Sequence, residues 1–249
     1  EVKRIRARQA FVLFASLVAG CGSQGPKPAP LETFKPSLRV AQAWRSEIGE
    51  SGPYVFSPGV SGDSVFAAST AGQLFRIRSA DGKVVWRINT KTRLSGGVGI
   101  GHNLILVGTA KGSVLAFDLD GKALWHSQVS SQVLSVPLTT GELVVVRSGD
   151  NRIFGLDARN GARRWVYQAN QPALTLRASQ SFALADKLVI AGMPAGKLVA
   201  LDLANGALVW EATVGIPKGD NEIERITDIA GEPLVEPGRI CAVTFQGRA

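Results

Sequence analysis

The sequence predicts an all-β fold, a β-propeller of four-stranded antiparallel blades, and three observations support this prediction. A hairpin pattern, two apolar runs around an Asp-Gly or Asn-Gly turn, occurs four times, at residues 73–86, 112–125, 151–165 and 196–210. Each hairpin ends in Trp, and these residues and Trp44 follow one another at intervals of about 40 residues. Each interval has room for four strands, the size of one propeller blade. The chain is long enough for about five such blades.

Each repeat extends upstream of its hairpin. Apolar segments suited to a second strand lie at 103–108, 142–147 and 187–192, and in three repeats Pro58, Pro137 or Pro233 marks the segment for a first strand. Because a lone four-stranded sheet cannot bury both faces, the blades must stack. We expect the Trp at the end of each fourth strand to fill the gap between neighbouring blades. The alternative, a Trp packed only within its own blade, agrees less well with the regular spacing.

The hairpin turns carry a recurring carboxylate. Asp118, Asp157 and Asp202 each precede the Trp of their hairpin by seven or eight positions. An Asp here can accept hydrogen bonds from the N–H groups of the turn. The first repeat has Arg78 at this position, so we expect Asp81 to hold its turn instead.

Length and charge exclude some classes of protein. The chain has 249 residues and a formal net charge of +8, and 45% of its residues are hydrophobic, enough for one large all-β domain. Part of the positive charge is concentrated in the first nine residues, and the remainder has no Lys/Arg run and no interleaving of aromatic with basic residues. The sequence therefore predicts no nucleic-acid partner.

The N-terminal 20 residues have the pattern of a secretory signal peptide. Residues 1–9 are basic, and 10–19 form an apolar stretch too short for a permanent membrane span. The following Leu-Val-Ala-Gly-Cys, residues 17–21, resembles the lipobox of bacterial lipoproteins. That resemblance implies cleavage before Cys21 and lipidation of its thiol; the alternative is an ordinary signal peptide with an incidental cysteine. Residues 22 and 23 are not acidic, which by the same resemblance favours the outer membrane.

Three regions follow from this pattern. Residues 1–20 are predicted to be the signal peptide, residues 21–37 the lipidated Cys and a proline-rich flexible tether, and residues 38–249 a partial propeller. With Cys21 lipidated, Cys241 is the one remaining cysteine and has no disulfide partner within the chain. Because Cys241 lies in an apolar run, we expect a buried core thiol.

The repeat resembles that of a known family. Its A-x-D-x-x-x-G-x-x-x-W pattern, clearest at 200–210, is similar to the repeats of PQQ-like β-propellers, and with the lipobox and two loops it resembles the BamB family of outer-membrane β-barrel assembly lipoproteins. The resemblance implies a propeller of eight blades. We therefore expect the chain to be truncated at both ends, with Trp44 belonging to a strand that completes the last blade.

Two connections are longer than the others, those after Trp165 and after Trp210. They occur at the same point of adjacent blades, so we expect them to lie side by side on one face. The first contains Leu174, Leu176 and Arg177, and the second contains Asp228.

The resemblance implies that these four residues contact a periplasmic POTRA domain of the pore subunit of the assembly machinery. At Ala230 the family pattern would have a second acidic residue. The alternatives are that the leucines belong to the core and that Arg177 pairs with Asp228 within the chain. Glu222, Glu224 and Arg225 are expected to form a solvated loop face.

An enzymatic function is the rival hypothesis. Quinoprotein dehydrogenases of this fold need a carboxylate-lined calcium site and commonly an adjacent-cysteine disulfide, whereas this sequence has no Cys-Cys pair and two isolated histidines, His102 and His126. We therefore expect no cofactor, no metal site and no catalysis. The resemblance to the BamB family implies a scaffold lipoprotein on the periplasmic face of the outer membrane, which binds the pore subunit. Exposed blade edges able to pair with nascent outer-membrane proteins are a further expectation. The alternative is a periplasmic PQQ-dependent dehydrogenase.

Overall fold

The computed structural model describes residues 37–170, 172–177 and 182–245, together with 30, 31, 33 and 35. The predicted signal peptide, the lipidation site Cys21 and most of the predicted tether lie outside the described residues. The described residues from 43 onward form one compact unit. Within the described ranges, no helix is long and apolar enough to cross a membrane.

Four antiparallel four-stranded sheets follow one another along the chain, each with its strands paired in sequence order. Blade 1 consists of β1 (Gly59–Ser61), β2 (Ser64–Ala68), β3 (Gln73–Arg78) and β4 (Val84–Asn89), and blade 2 of β5 (Leu94–Gly101), β6 (Leu104–Thr109), β7 (Ser113–Phe117) and β8 (Ala123–Gln128). Blade 3 consists of β9 (Leu138–Thr139), β10 (Leu143–Arg147), β11 (Ile153–Asp157) and β12 (Arg163–Tyr167). Blade 4 consists of β13 (Phe182–Ala185), β14 (Leu188–Met193), β15 (Lys197–Asp202) and β16 (Leu208–Thr213), with a 3₁₀ turn at Pro194–Gly196. A two-stranded sheet follows, β17 (Ile229–Glu236) and β18 (Arg239–Thr244). The all-β, four-stranded repeat predicted from the sequence is confirmed.

Neighbouring sheets bury their faces against each other. The second strands are almost wholly buried, as in β6, whereas the fourth strands are largely exposed, as in β4. One core cluster joins Leu106 and Val114 of blade 2 to Val144 and Phe154 of blade 3. The hydrophobic core therefore lies between the blades, so each blade is stabilised by its neighbours.

Three of the fourth-strand indoles, those of blades 1, 2 and 3, connect their blade to the next, as the sequence predicts. Trp86, Trp125 and Trp165 donate from Nε1 to the carbonyls of Leu119, Ala158 and Leu203, at 3.1, 2.9 and 3.0 Å, in the hairpin turn of the following blade. Trp44 makes the same bond to Ser79 of blade 1, at 2.7 Å, although it lies in no strand and the expectation of a strand there is wrong. Pairing between the third and fourth strands also shifts register directly after the residue that faces each Trp, in all four blades. The four sheets are therefore structural repeats of one unit.

This contact explains the glycine of the repeat. Gly161 has a φ of +73°, and a Cβ there would lie 2.5 Å from the ring of Trp125. Gly206 stands in the same relation to Trp165, also at 2.5 Å. The glycine thus supplies a left-handed turn and leaves room for the indole of the preceding blade.

The turn carboxylates also have their predicted role. Asp118 Oδ1 accepts hydrogen bonds from the backbone N–H groups of Asp120 and Lys122, at 3.0 and 2.9 Å. In the first repeat, Asp81 Oδ1 accepts from the backbone N–H of Lys83 at 3.2 Å. The same motif is therefore satisfied by a different Asp where Arg78 replaces the usual one.

The prediction for Cys241 is wrong, because its side chain is exposed. Burial alternates along β18, where Ala242 and Thr244 face inward and Cys241 faces the other side. β17 and β18 form a sheet of only two strands among the described residues, and the outer face of β18 is exposed. An apolar run therefore does not imply burial on both faces here.

Candidate functional site

The two long connections meet, as the sequence predicts. The first runs from the end of β12 to β13 and the second from the end of β16 to β17. The backbone N–H of Leu176, in the first, donates to Asp228 Oδ2, in the second, at 2.7 Å. Residues far apart in the sequence therefore form one surface next to blade 4.

Asp228 is buried, with 1% of its surface exposed. Its other oxygen, Oδ1, accepts from the backbone N–H of Ala195 at 3.1 Å. Ala195 lies in the 3₁₀ turn and has a φ of +57°, a conformation that few non-glycine residues adopt. We call this arrangement of Asp228, Leu176 and Ala195 the Asp228 clasp. The carboxylate predicted to face a partner instead holds the chain segment that displays the leucines.

A buried arginine lies near the clasp. Arg147 ends β10 and has 3% of its surface exposed, and its Nη2 donates to the carbonyl of Gly192 at 2.5 Å and contacts Met193 Sδ at 3.0 Å. Its guanidinium carbon lies 5.7 Å from the centre of the Phe182 ring. Burial lowers the pKa of Arg147 to about 10, and the negative charge of Asp228 opposes that shift. The two charges therefore compensate each other in the interior.

Arg147 was not predicted as a site residue, although the sequence contains a signal for it. Arg147 directly follows the apolar run 143–146, at the end of a strand that is buried throughout. A charged residue in such a strand needs a compensating charge, since few charged side chains are buried without a partner. The carboxylate of Asp228 supplies that charge from the far end of the second connection.

The predicted leucines and arginine differ in exposure. Leu174 is 45% exposed, Leu176 is half-buried and Arg177 is exposed. Arg177 Nη2 donates to Gln132 Oε1 at 2.8 Å rather than to Asp228. The structure thus does not support the alternative of an Arg177–Asp228 pair, and an exposed Leu174 does not belong to the core.

The acidic side chains of the second connection form hydrogen bonds and ion pairs with other residues of the same connection. Glu224 Oε1 accepts from Asn221 Nδ2 at 2.8 Å, and Arg225 pairs with Glu222 at 3.2 Å. These side chains are exposed. They form the solvated loop face that the sequence predicts, and Ala230 beyond them is also exposed.

Comparison with known proteins adds to this geometry. A family model described as "Outer membrane protein assembly factor BamB" matches residues 76–249, more than half of the chain. The chain belongs to the BamB family. This result agrees with the repeat, because the matched range runs from within β3 of blade 1 through blades 2, 3 and 4.

Curated BamB relatives are similar over most of this chain. The assembly factor of Nitrosomonas eutropha is 44% identical over 219 residues, which cover 88% of this chain and 53% of the relative. That of Burkholderia pseudomallei is 39% identical over 251 residues, which cover 99% of this chain and 66% of the relative. The chain therefore spans between half and two thirds of the length of these BamB proteins.

Solved structures agree with the fold. The crystal structure of BamB from Moraxella catarrhalis superposes with a TM-score of 0.73 at 31% identity, covering 77% of this chain and 59% of that one. A quinohemoprotein alcohol dehydrogenase from Pseudomonas putida superposes with a TM-score of 0.58 at 14% identity, covering 81% of this chain and 40% of that one. At that identity the second likeness shows a shared fold only. Within the part that the structure describes, no three His, Cys, Asp or Glu side chains group closely enough to hold a metal ion.

Proposed function

We propose that this protein is a non-catalytic scaffold that docks the periplasmic POTRA region of the pore subunit of the β-barrel assembly machinery. Membership of the BamB family and the names of its relatives as outer membrane protein assembly factors support this function. The observation that carries the site is the Asp228 clasp, which fixes the backbone of Leu176 beside an exposed Leu174 and Arg177. We call these three residues, Leu174, Leu176 and Arg177, the docking surface.

The docking surface has the composition of a protein interface. An exposed leucine and an arginine in the same short segment provide an apolar contact and a planar donor group that can bind a carboxylate or carbonyl of the partner. Because the segment is already held in place, binding would cost little additional conformational entropy. In this proposal Asp228 is a positioning residue, and the other three touch the partner.

The proposed function also includes a lipid anchor at Cys21. Lipidation of Cys21 would hold the protein on the periplasmic face of the outer membrane, near the pore subunit. Mass spectrometry of the mature protein tests this step, since a lipid-free N-terminus that begins at another residue would contradict it.

Photocrosslinking tests the docking surface. A photoreactive residue at position 174 should crosslink to the pore subunit in intact cells, because Leu174 belongs to the docking surface. The matched control is position 124 on β8, since Leu124 is 46% exposed and Leu174 is 45% exposed. Equal crosslinking to the pore subunit from both positions would contradict the assignment.

The outer strands support a second contact, with nascent outer-membrane proteins. The strands β4, β8, β12 and β16 each pair within their blade with the third strand, and they expose apolar side chains such as Val85, Leu124 and Val209. An extended client segment could pair with such a strand. Probes on these strands that capture no client protein would contradict this contact.

A further inference from the structure

Arg177 contacts residues outside its own loop. Its guanidinium carbon lies 5.7 Å from the centre of the Tyr54 ring, and Tyr54 precedes the first strand of blade 1. Its hydrogen-bond partner Gln132 lies in the connection between β8 and β9. The docking surface is therefore continuous with segments that lead into blades 1 and 3.

A second arginine contacts the same ring. Arg93, in the connection between β4 and β5, places its guanidinium carbon 5.9 Å from the Tyr54 ring centre. The two guanidinium carbons therefore lie within about 12 Å of each other. Beside them is a cavity of about 150 Å³, lined by Pro53, Tyr54, Val55, Ser95, Leu134 and Arg177.

The charges of these two arginines are not balanced by a carboxylate. Seven arginines of the described chain form ion pairs with Asp or Glu, whereas the exposed Arg39, Arg45, Arg87 and Arg163 do not; the seven are Arg76, Arg78, Arg152, Arg159, Arg164, Arg225 and Arg239. Among the same residues, no ion pair includes Arg93 or Arg177, and both side chains are exposed. Two positive charges thus remain available beside the Tyr54 ring, and one of them, that of Arg177, lines the cavity.

We propose that Tyr54, Arg93 and Arg177 form a binding site for an acidic side chain of the docked partner. A guanidinium binds a carboxylate through two parallel hydrogen bonds, and because the site is continuous with the docking surface through Arg177, the carboxylate it binds belongs to the docked partner. This proposal rests on the proposed function, because the acidic side chain belongs to the same periplasmic region that the leucines contact. It adds Arg93 and Tyr54, contributed from beside blade 1, to the docking surface.

Titration calorimetry with the pore's purified periplasmic domains and the intact protein tests the proposal. Arg93→Gln should weaken binding about tenfold and reduce its salt dependence, because one charge contact is lost. Arg93→Lys keeps the charge but not the planar fork, so it should give an intermediate loss. The matched control is Arg87→Gln, an exposed arginine on the outer strand β4 that should leave affinity unchanged.

The outcomes separate this proposal from the proposed function. If Leu174→Ala weakens binding while Arg93→Gln changes neither affinity nor salt dependence, the acidic-side-chain site is wrong and the docking surface stands. If the unmodified protein does not bind the periplasmic domains, both fail. Arg93-dependent binding to vesicles of anionic lipid, with unchanged binding to the periplasmic domains, would also overturn the proposal.

Discussion

Asp228 shows how one buried carboxylate can set the shape of a surface loop. Its two oxygens accept backbone N–H groups from two different segments, Leu176 and Ala195, and its charge compensates Arg147. A carboxylate is suited to this position because it accepts hydrogen bonds with both oxygens. The position of Leu174 and Leu176 thus depends on Asp228, which is itself buried and inaccessible to a partner.

Replacing Asp228 by Asn should loosen this loop. One oxygen becomes an NH₂ group facing a backbone N–H, and Arg147 loses its compensating charge, so we expect the free energy of unfolding to fall by about 2–4 kcal/mol. The amide of Leu176 should exchange faster with solvent, and partner affinity should fall. Hydrogen-exchange mass spectrometry and chemical denaturation measure these changes. The control is Asp220→Asn, an exposed residue of the second connection, and equal behaviour of both variants would contradict the clasp.

Asp157 gives a prediction for pH. Hydrogen bonds from the guanidinium groups of Arg159 and Arg164 hold the pKa of Asp157 well below its usual range. Since the pKa is lower in the folded than in the unfolded state, the stabilisation is present above about pH 4 and is lost as the pH falls further. The stability difference between the unmodified protein and Asp157→Asn should therefore be larger at pH 7 than at pH 3. Urea denaturation at both values measures it; a difference that does not shrink at pH 3 would contradict the role of the charge, and Asp186→Asn is the exposed control.

For individual residues, the sequence predicted local hydrogen-bonding roles better than it predicted which side chains are buried. The turn carboxylates were predictable because an Asx turn is a local interaction. Cys241 and Asp228 were not, because their burial depends on the neighbours that the chain brings to each face of β18 and to the clasp.

At the level of elements, the indole and the turn glycine form the joint between blades. Trp125 donates to Ala158 and its ring lies against Gly161 of the next blade. Trp44, Trp86 and Trp165 make the same hydrogen bond to the blade that follows. The sequence pattern therefore encodes a contact between repeats as well as a turn within one.

Gly161→Ala tests this joint. The new Cβ would meet the Trp125 ring at 2.5 Å in a backbone with a φ of +73°, so we expect a destabilisation of about 3 kcal/mol from strain and displacement of the indole. Gly62→Ala is the matched control, because Gly62 has a φ of +58° but no atom within 4 Å of its Cβ position. It should cost about 1 kcal/mol from backbone strain alone. Thermal denaturation compares the two, and equal losses would show that the indole contributes nothing.

The strands were predictable from the sequence because each repeat alternates apolar runs with Gly and Asn turns. The register shift that recurs opposite each Trp was not predictable from the sequence, because a bulge depends on how two strands pair. The side-by-side position of the two long connections followed from the repeat alone. The hydrogen bonds that join them did not.

For the whole molecule, the stacked blades form the base to which the docking surface is attached. Successive blades are joined by shared cores and indole bonds, and the docking surface lies on segments attached to blade 4 and to the entrance of β17. Residues 172–177 have no regular structure of their own, so their order comes from these attachments. This arrangement agrees with the proposed function, in which the protein holds a binding surface in place and carries out no reaction.

The most direct test of the docking surface is the affinity of the intact protein for the periplasmic domains of the pore subunit. We expect replacement of Leu174, Leu176 and Arg177 together by Ala to weaken binding at least 100-fold, about 3 kcal/mol, with little change in the melting temperature. Binding of the triple variant with the affinity of the unmodified protein would contradict the assignment of this surface.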